Sequence, residues 1–230
     1  ISSFLSLFFN FAVLYVLVLL LINGFPAFFV TLLACSVVGY INLFYINGVN
    51  VKTKAAFIAT IVTTFFLLVL IIVVHRFAMI QGFGPEEVEE YTTLSFFVNV
   101  DFVQIGICTM ITGTIAAITD TAISISSSLH EFHHRNPQLG EKELFRSGMT
   151  IGKDIIGTTT NTLYFSFIGG YLALFLWFRD LSYSFGEALN AKVLVSEVVS
   201  MFVIGIGVTG IIPLTAWITA RMLLNKSSRA

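Results

Sequence analysis

Residues 129–140 read LHEFHHRNPQLG, and within them His130, Glu131 and His134 spell H-E-x-x-H. On a helix this spacing puts two imidazoles one turn apart, where they can hold Zn²⁺ while the glutamate acts as base on metal-bound water. A third protein ligand is required. His133 lies on the wrong face of such a helix, and charge placement, described below, assigns His75 to the opposite membrane surface. No H-x-x-G-x-x-H extension and no acidic E-x-x-x-[DE] pair follows. Asn136-Pro137 lacks the aspartate of an N-P-D-G segment, which leaves Asp154 as the late candidate ligand. Histidines beside Arg135 are more simply a polar helix terminus, since cationic side chains are favourable near the C-terminal dipole. The motif is therefore read as a chance match. No metal, cofactor or enzymatic activity is expected.

A second motif, GIGVTG at 205–210, fits G-x-G-x-x-G. Pyrophosphate binding by that pattern needs a preceding strand and a ribose-binding acid. The flanks VVSMFVI and IIPLTAW supply neither, so Gly205, Gly207 and Gly210 before Pro213 are read as part of a closely packed, pliable helix.

The elements that carry these residues follow from composition. Of 230 residues, 57% are hydrophobic and 11% charged, and the mean hydropathy is +0.92. Soluble domains carry about 25% charged residues, so this is an integral membrane protein. The net charge of −1 gives nucleic acid no reason to bind. Cys35 and Cys108 lie in apolar runs, where a thiol behaves as a small hydrophobe. No basic segment precedes the first apolar run and no A-x-A site follows it, so a cleaved signal peptide is not expected.

A helix needs about 20 apolar residues to cross a bilayer core of about 30 Å. Runs of that kind predict six spans, at about 4–22, 27–46, 55–74, 102–131, 162–178 and 193–220, in one membrane domain covering 1–230. The fold class is all-α, a polytopic helical membrane protein. The stretch IQGFGPEEVEEY at 80–91 is too acidic to lie in lipid. Nine of the twelve basic residues fall in alternate connections or the tail: Lys52, Lys54, Arg135, Lys142, Arg146, Lys153, Arg221, Lys226 and Arg229. By the positive-inside rule both termini are then cytoplasmic, in agreement with an even number of spans.

Charged groups within spans are informative, because a central Asp or Lys costs about 2.5–3.5 kcal/mol on insertion scales. Asp101, Asp120, Glu131, Lys153, Asp154 and Glu197 are the candidates, Glu197 lying near the outer end of its span. In the fourth span Thr109, Gly113, Ala116, Asp120, Ser124, Ser127 and Glu131 recur every three or four residues, one polar and small-residue stripe along a helix. Ile111, Ile115, Ile118, Ile125 and Leu129 occupy the opposite face, suited to lipid or tight packing. The stripe reads either as a helix–helix seam or as the wall of a polar cavity.

Between Glu143 and Phe178 there are too many residues for one perpendicular span. Gly157, Thr158, Thr159 and Thr160 weaken a helix, and Thr160 or Asn161 suits a new N-cap. A broken helix, or an amphipathic one followed by an ordinary span, is expected around 147–161. Asp154, Thr158 and Asn161 share a face at i, i+4 and i+7, and Lys153 is a candidate partner for Asp120. The substrate- or ion-binding candidates are accordingly Asp120, Ser124, Glu131, Lys153, Asp154, Thr158 and Asn161.

The pattern TGTIAAITDTAISISSSLHE, then NPQLGEKELFRSGMTIGKDIIGTTTNTLYFSFIGG, resembles the YibE/F family of bacterial multi-spanning membrane proteins. The likeness is close through residues 106–170 and includes IQGFG at 80–84. Its polar and glycine positions are Asp120, Ser124, Glu131, Ser147, Gly148, Gly152, Asp154, Gly157, Asn161 and Thr162; the three histidines around Glu131 are not part of it. The resemblance implies a bacterial cytoplasmic membrane location and, often, a related membrane protein as partner. Besides the lipid bilayer, the expected partners are such a relative or a second copy, and no nucleic acid. The leading function is a permease or transporter-like protein with a polar intramembrane cavity. The alternative is a non-transporting subunit whose stripe pairs with another membrane protein.

Overall fold

A computed structural model describes residues 2–78 and 102–227. The acidic stretch at 80–91 and Asp101 lie outside the described residues. Every element is a helix: α1 Ser2–Ile22, α2 Ala27–Tyr40, a π-helical turn Ile41–Tyr45, α3 Val51–Ala78, α4 Phe102–Arg135, α5 Glu141–Gly170, α6 Leu172–Asp180, α7 Phe185–Asn190 and α8 Lys192–Ser227. Among the described residues five helices are each long and apolar enough to cross a bilayer, at Phe4–Ile22, Ala27–Tyr45, Val51–Phe77, Gln104–Arg135 and Lys192–Asn225. The bent pair α5–α6 makes a sixth when counted as one span.

The core is the triangle of α3, α4 and α8, which touch one another along much of their length. Small residues let their backbones approach. Ala56 and Ala59 on α3 and Ala122 on α4 are fully buried, and they pack with Leu67, Ile118 and Ile211. A Cβ on Gly207 of α8 would stand 3.0 Å from Leu67, 3.1 Å from Thr114 and 3.2 Å from Ile118, so any side chain there would press on its neighbours. GIGVTG is thus the interior of a continuous helix. Without a hydrophobic driving force between lipid-bathed helices, such close packing is the main source of cohesion. Threonines fit this apolar seam because their hydroxyls donate to their own helix: Thr114 to the Met110 carbonyl at 2.6 Å and Thr121 to that of Ala117 at 2.9 Å.

The other helices are added around this triangle. α2 packs on α4 through Cys35 against Met110 and Ile111, and α1 packs on α2 through Leu17, Val30 and Ala34. The α2–α3 turn is fixed by Gly48 at φ +71° and by a reciprocal pair in which the Thr53 N–H donates to Asn50 Oδ1 and the Asn50 N–H to Thr53 Oγ1, both at 3.0 Å. α5 lies along α8 through Leu144, Gly148 and Gly152, all buried. A Cβ on Gly148 would meet Ala216 at 2.7 Å, and one on Gly152 would overlap Ile212.

No break falls within 147–161, and no separate span starts at 162. α5 runs unbroken through Gly157 and Asn161, and the chain bends by 43° at Tyr171 instead. The threonines bond back to their own helix rather than capping a new one: Thr158 Oγ1 donates to the Ile155 carbonyl at 3.0 Å and Thr162 Oγ1 to that of Thr158 at 3.0 Å. The bend follows Gly169–Gly170, two residues whose backbone entropy weakens a helix most. Likewise Lys142, Arg146 and Lys153, expected in a connection, lie in the first turns of α5. The N-terminus of that helix is closed by the Gly140 N–H donating to Glu143 Oε2 at 3.1 Å.

Candidate intramembrane cavity

Asp120 sits near the middle of α4. Its stripe faces away from the core: Thr109, Ala116, Asp120, Ser124 and Glu131 are exposed, and Gly113 and Ser127 are half-buried. Ile111, Ile118, Ile125 and Leu129 are fully buried, so tight packing, not lipid contact, is the role of the opposite face.

Beside the stripe, between α1, the α2–π segment and α4, lies a cavity of about 590 Å³. Its polar wall is made by Asn10, Asn42, Asn47, Thr112, Thr119 and Asp120. The α2 side contributes positions 34, 38, 42 and 46, together with 35, 39, 43 and 47. A residue every fourth position would drift by about 40° per step on a 3.6-residue helix. The wider π-turn at Ile41–Tyr45 takes up that drift, and it holds Asn42 and Asn47 on the same wall as Ala34 and Cys35. Single π-turns of this kind are frequent at functional sites.

Hydrogen bonds fix most of this wall. Asn10 Nδ2 donates to Asn42 Oδ1 at 2.8 Å, tying α1 to the π-turn, and Asn47 Nδ2 donates to the Asn42 main-chain carbonyl at 3.0 Å. The hydroxyl protons of Thr112 and Thr119 go to the carbonyls of Cys108 and Ile115, at 2.8 and 2.6 Å, and the Cys35 thiol points at Thr112 Oγ1 at 3.7 Å. Not every acceptor on this wall has a partner. Asn10 Oδ1 is buried with no hydrogen bond, and the Asp120 carboxylate makes neither a hydrogen bond nor an ion pair among the described residues.

Of the sequence candidates, Asp120 alone lines this cavity. Ser124 lies one turn further along the same exposed stripe, and Glu131 is at the helix end, where the Arg135 Nε–H donates to its Oε1 at 2.8 Å. Lys153, Asp154, Thr158 and Asn161 are all exposed on α5, the last three on one face as their spacing requires. The Lys153–Asp120 pair does not form; Arg135 pairs with Glu131. Asn10, Asn42 and Asn47 escaped the sequence reading, which weighed charges in spans and not carboxamides. Their signal was present, as lone asparagines inside the apolar runs FFNFAV and YINLFYIN.

The zinc motif gathers no further ligand. Glu131, its would-be base, is held by Arg135, and among the described residues no group of three or more His, Cys, Asp or Glu side chains comes together to hold a metal. Glu197 is half-buried in the second turn of α8, and Cys35 and Cys108 are buried free thiols.

Comparison with curated proteins returns no match, and comparison with solved structures returns none. A family model described as YibE/F-like protein matches residues 1–225, nearly the whole chain and well beyond the central third that carries the sequence resemblance. The chain belongs to the YibE/F family.

Proposed function

We propose that this protein is a permease-like component of the bacterial cytoplasmic membrane, with the cavity beside Asp120 as its solute site. The observation that carries this reading is the setting of Asp120: a carboxylate midway along a membrane helix, without an ionic partner, opening onto a cavity walled by three asparagines. An intramembrane carboxylate is costly unless a partner or water meets it. Volumes of about 300–1,000 Å³ with mostly apolar walls and a few placed polar groups are typical of small-molecule sites. The cavity has that size and character.

Its test is cysteine labelling in membranes, in a variant in which Cys35 and Cys108 are replaced. Cysteines placed at Ala116 and Asp120 react with a small, water-soluble, charged reagent if the cavity is wet. Lack of reaction at both, in a folded protein, removes the cavity from the mechanism.

One observation favours a second reading, a membrane subunit that pairs with a relative or a second copy. Lys153, Asp154, Thr158, Asn161 and Thr162 lie exposed along α5. Polar groups facing lipid are uncommon outside interfaces. Cross-linking from cysteines on this face to another membrane protein, with the cavity positions unreactive to the soluble reagent, would select it.

A further inference from the structure

Taking the Asp120 cavity as a solute site, we infer that its ligand is a small organic monocation bearing N–H donors, a protonated primary amine. Charge gives the sign. Among the described lining residues Asp120 is the one ionisable acid, and no Lys, Arg or His joins it. The remaining polar groups do not supply compensating charge: the carboxamides are neutral, and the Thr112 and Thr119 hydroxyl protons are committed to main-chain carbonyls. A site with one negative charge and no positive one takes a monovalent cation by charge balance.

Size and wall chemistry decide among cations. A water occupies about 30 Å³, so a cavity of about 590 Å³ is far larger than a desolvated metal ion. Its remaining wall is hydrocarbon, including Leu14, Leu17, Val38, Leu43, Ile115 and Ile123. An alkyl body fits that wall, whereas a bare ion leaves it in contact with water. Quaternary ammonium groups are recognised by aromatic faces, and no Phe, Tyr or Trp is among the described lining residues, although the chain has 24 phenylalanines. The cation must therefore be met by acceptors. The Asp120 carboxylate, which has no hydrogen bond or ion pair among the described residues, is the acceptor suited to an ammonium N–H.

The experiment measures binding to the purified full chain in lipid nanodiscs, by ligand-induced rise in unfolding temperature. The probes are hexylammonium, hexyltrimethylammonium, hexanol and sodium ion, each at matched chloride concentration. Hexylammonium is expected to stabilise the protein in a saturable way and the other three weakly or not at all. Asp120→Asn, of nearly equal shape, is expected to lower its apparent affinity at least about tenfold, the equivalent of one charge-assisted hydrogen bond. Ala116→Leu, which adds volume one turn from Asp120 and removes no charge, provides a second variant and is expected to weaken hexylammonium as well.

Equal stabilisation by hexyltrimethylammonium or hexanol overturns the need for N–H donors, and stabilisation by sodium alone assigns a metal cation instead. If a probe other than hexylammonium binds in a way that Asp120→Asn or Ala116→Leu weakens, the amine is overturned while the solute site stands. If no probe's effect responds to either variant and Ala116 is closed to soluble reagent, both fall.

Discussion

α4 has two flanks that differ in almost every respect. Toward α3 and α8 it is closely packed: Thr114, Ile118 and Ile125 are buried, and a Cβ on Gly207 of α8 would crowd Leu67 and Thr114. Toward α1 and α2 it is open, with Asp120 and the asparagine pair Asn10–Asn42 around a cavity. One helix thus serves as a packed wall on one side and a lined one on the other. Cohesion and chemistry are separated across its width, so changes on the two flanks should have different signatures, loss of fold on the first and loss of binding on the second.

The largest effect is expected where helices touch most closely. Gly207→Val and Gly152→Ile each force a side chain into an occupied seam, at a cost of about 1–3 kcal/mol or more. Reversible unfolding in mild detergent should show both destabilised, with Gly152→Ile the more severe because its first added carbon already overlaps Ile212. Gly205→Ala is the control: a Cβ there meets nothing within 4 Å, and stability should be unchanged or raised by up to about 1 kcal/mol. Equal sensitivity at Gly205 and Gly207 would erase the distinction between packed and open faces.

On the open flank Asp120→Asn should leave the fold intact. Removing an unpaired carboxylate from a membrane helix lowers the cost of burying it, so its unfolding midpoint should equal or exceed that of the parent. A marked loss of stability would show that Asp120 holds the helices together. Asn10→Ala removes the tie between α1 and the π-turn, with an expected loss of about 1 kcal/mol and faster hydrogen exchange in α1. If exchange quickens in α8 instead, the tie is not local to the open flank.

The smallest effect concerns α7, remote from both flanks. The Ser184 hydroxyl and N–H both donate to Glu187, at 2.7 Å each, and hold its carboxyl below the ordinary glutamate value. Because the folded value is the lower one, this cap is complete at neutral pH and lost as pH falls through it, below about 4.3. Glu187→Gln should abolish that acid dependence of amide exchange in α7 and change nothing at the cavity.

The sequence showed the polytopic helical class, the stripe on α4 and the helical nature of GIGVTG, because hydropathy and three-to-four spacing report directly on helix faces. It also singled out Asp120, a charge inside an apolar run, which the structure places on the cavity wall. It misplaced the bend, because threonine composition does not reveal that Thr158 and Thr162 turn their hydroxyls back onto their own helix. It overlooked Gly148 and Gly152 as a close-packing pair, although G-x-x-x-G in GMTIG carries that spacing openly. Asparagines in apolar runs were a visible signal, but the π-turn that gathers Asn10, Asn42 and Asn47 on one wall was not legible. Which wall an asparagine faces depends on a local change of helical pitch that residue types do not announce.

The most direct measurement is solvent accessibility along α4 in native membranes, with single cysteines at Ala116, Asp120 and Ser124 on the stripe and at Ile118 and Ala122 on the packed flank. Reaction with a charged, water-soluble reagent is expected at 116 and 120, slowed by hexylammonium, with 118 and 122 unreactive. Uniform protection of all five positions, or cross-linking of 116 and 120 to a second membrane protein, would contradict a wet cavity beside Asp120.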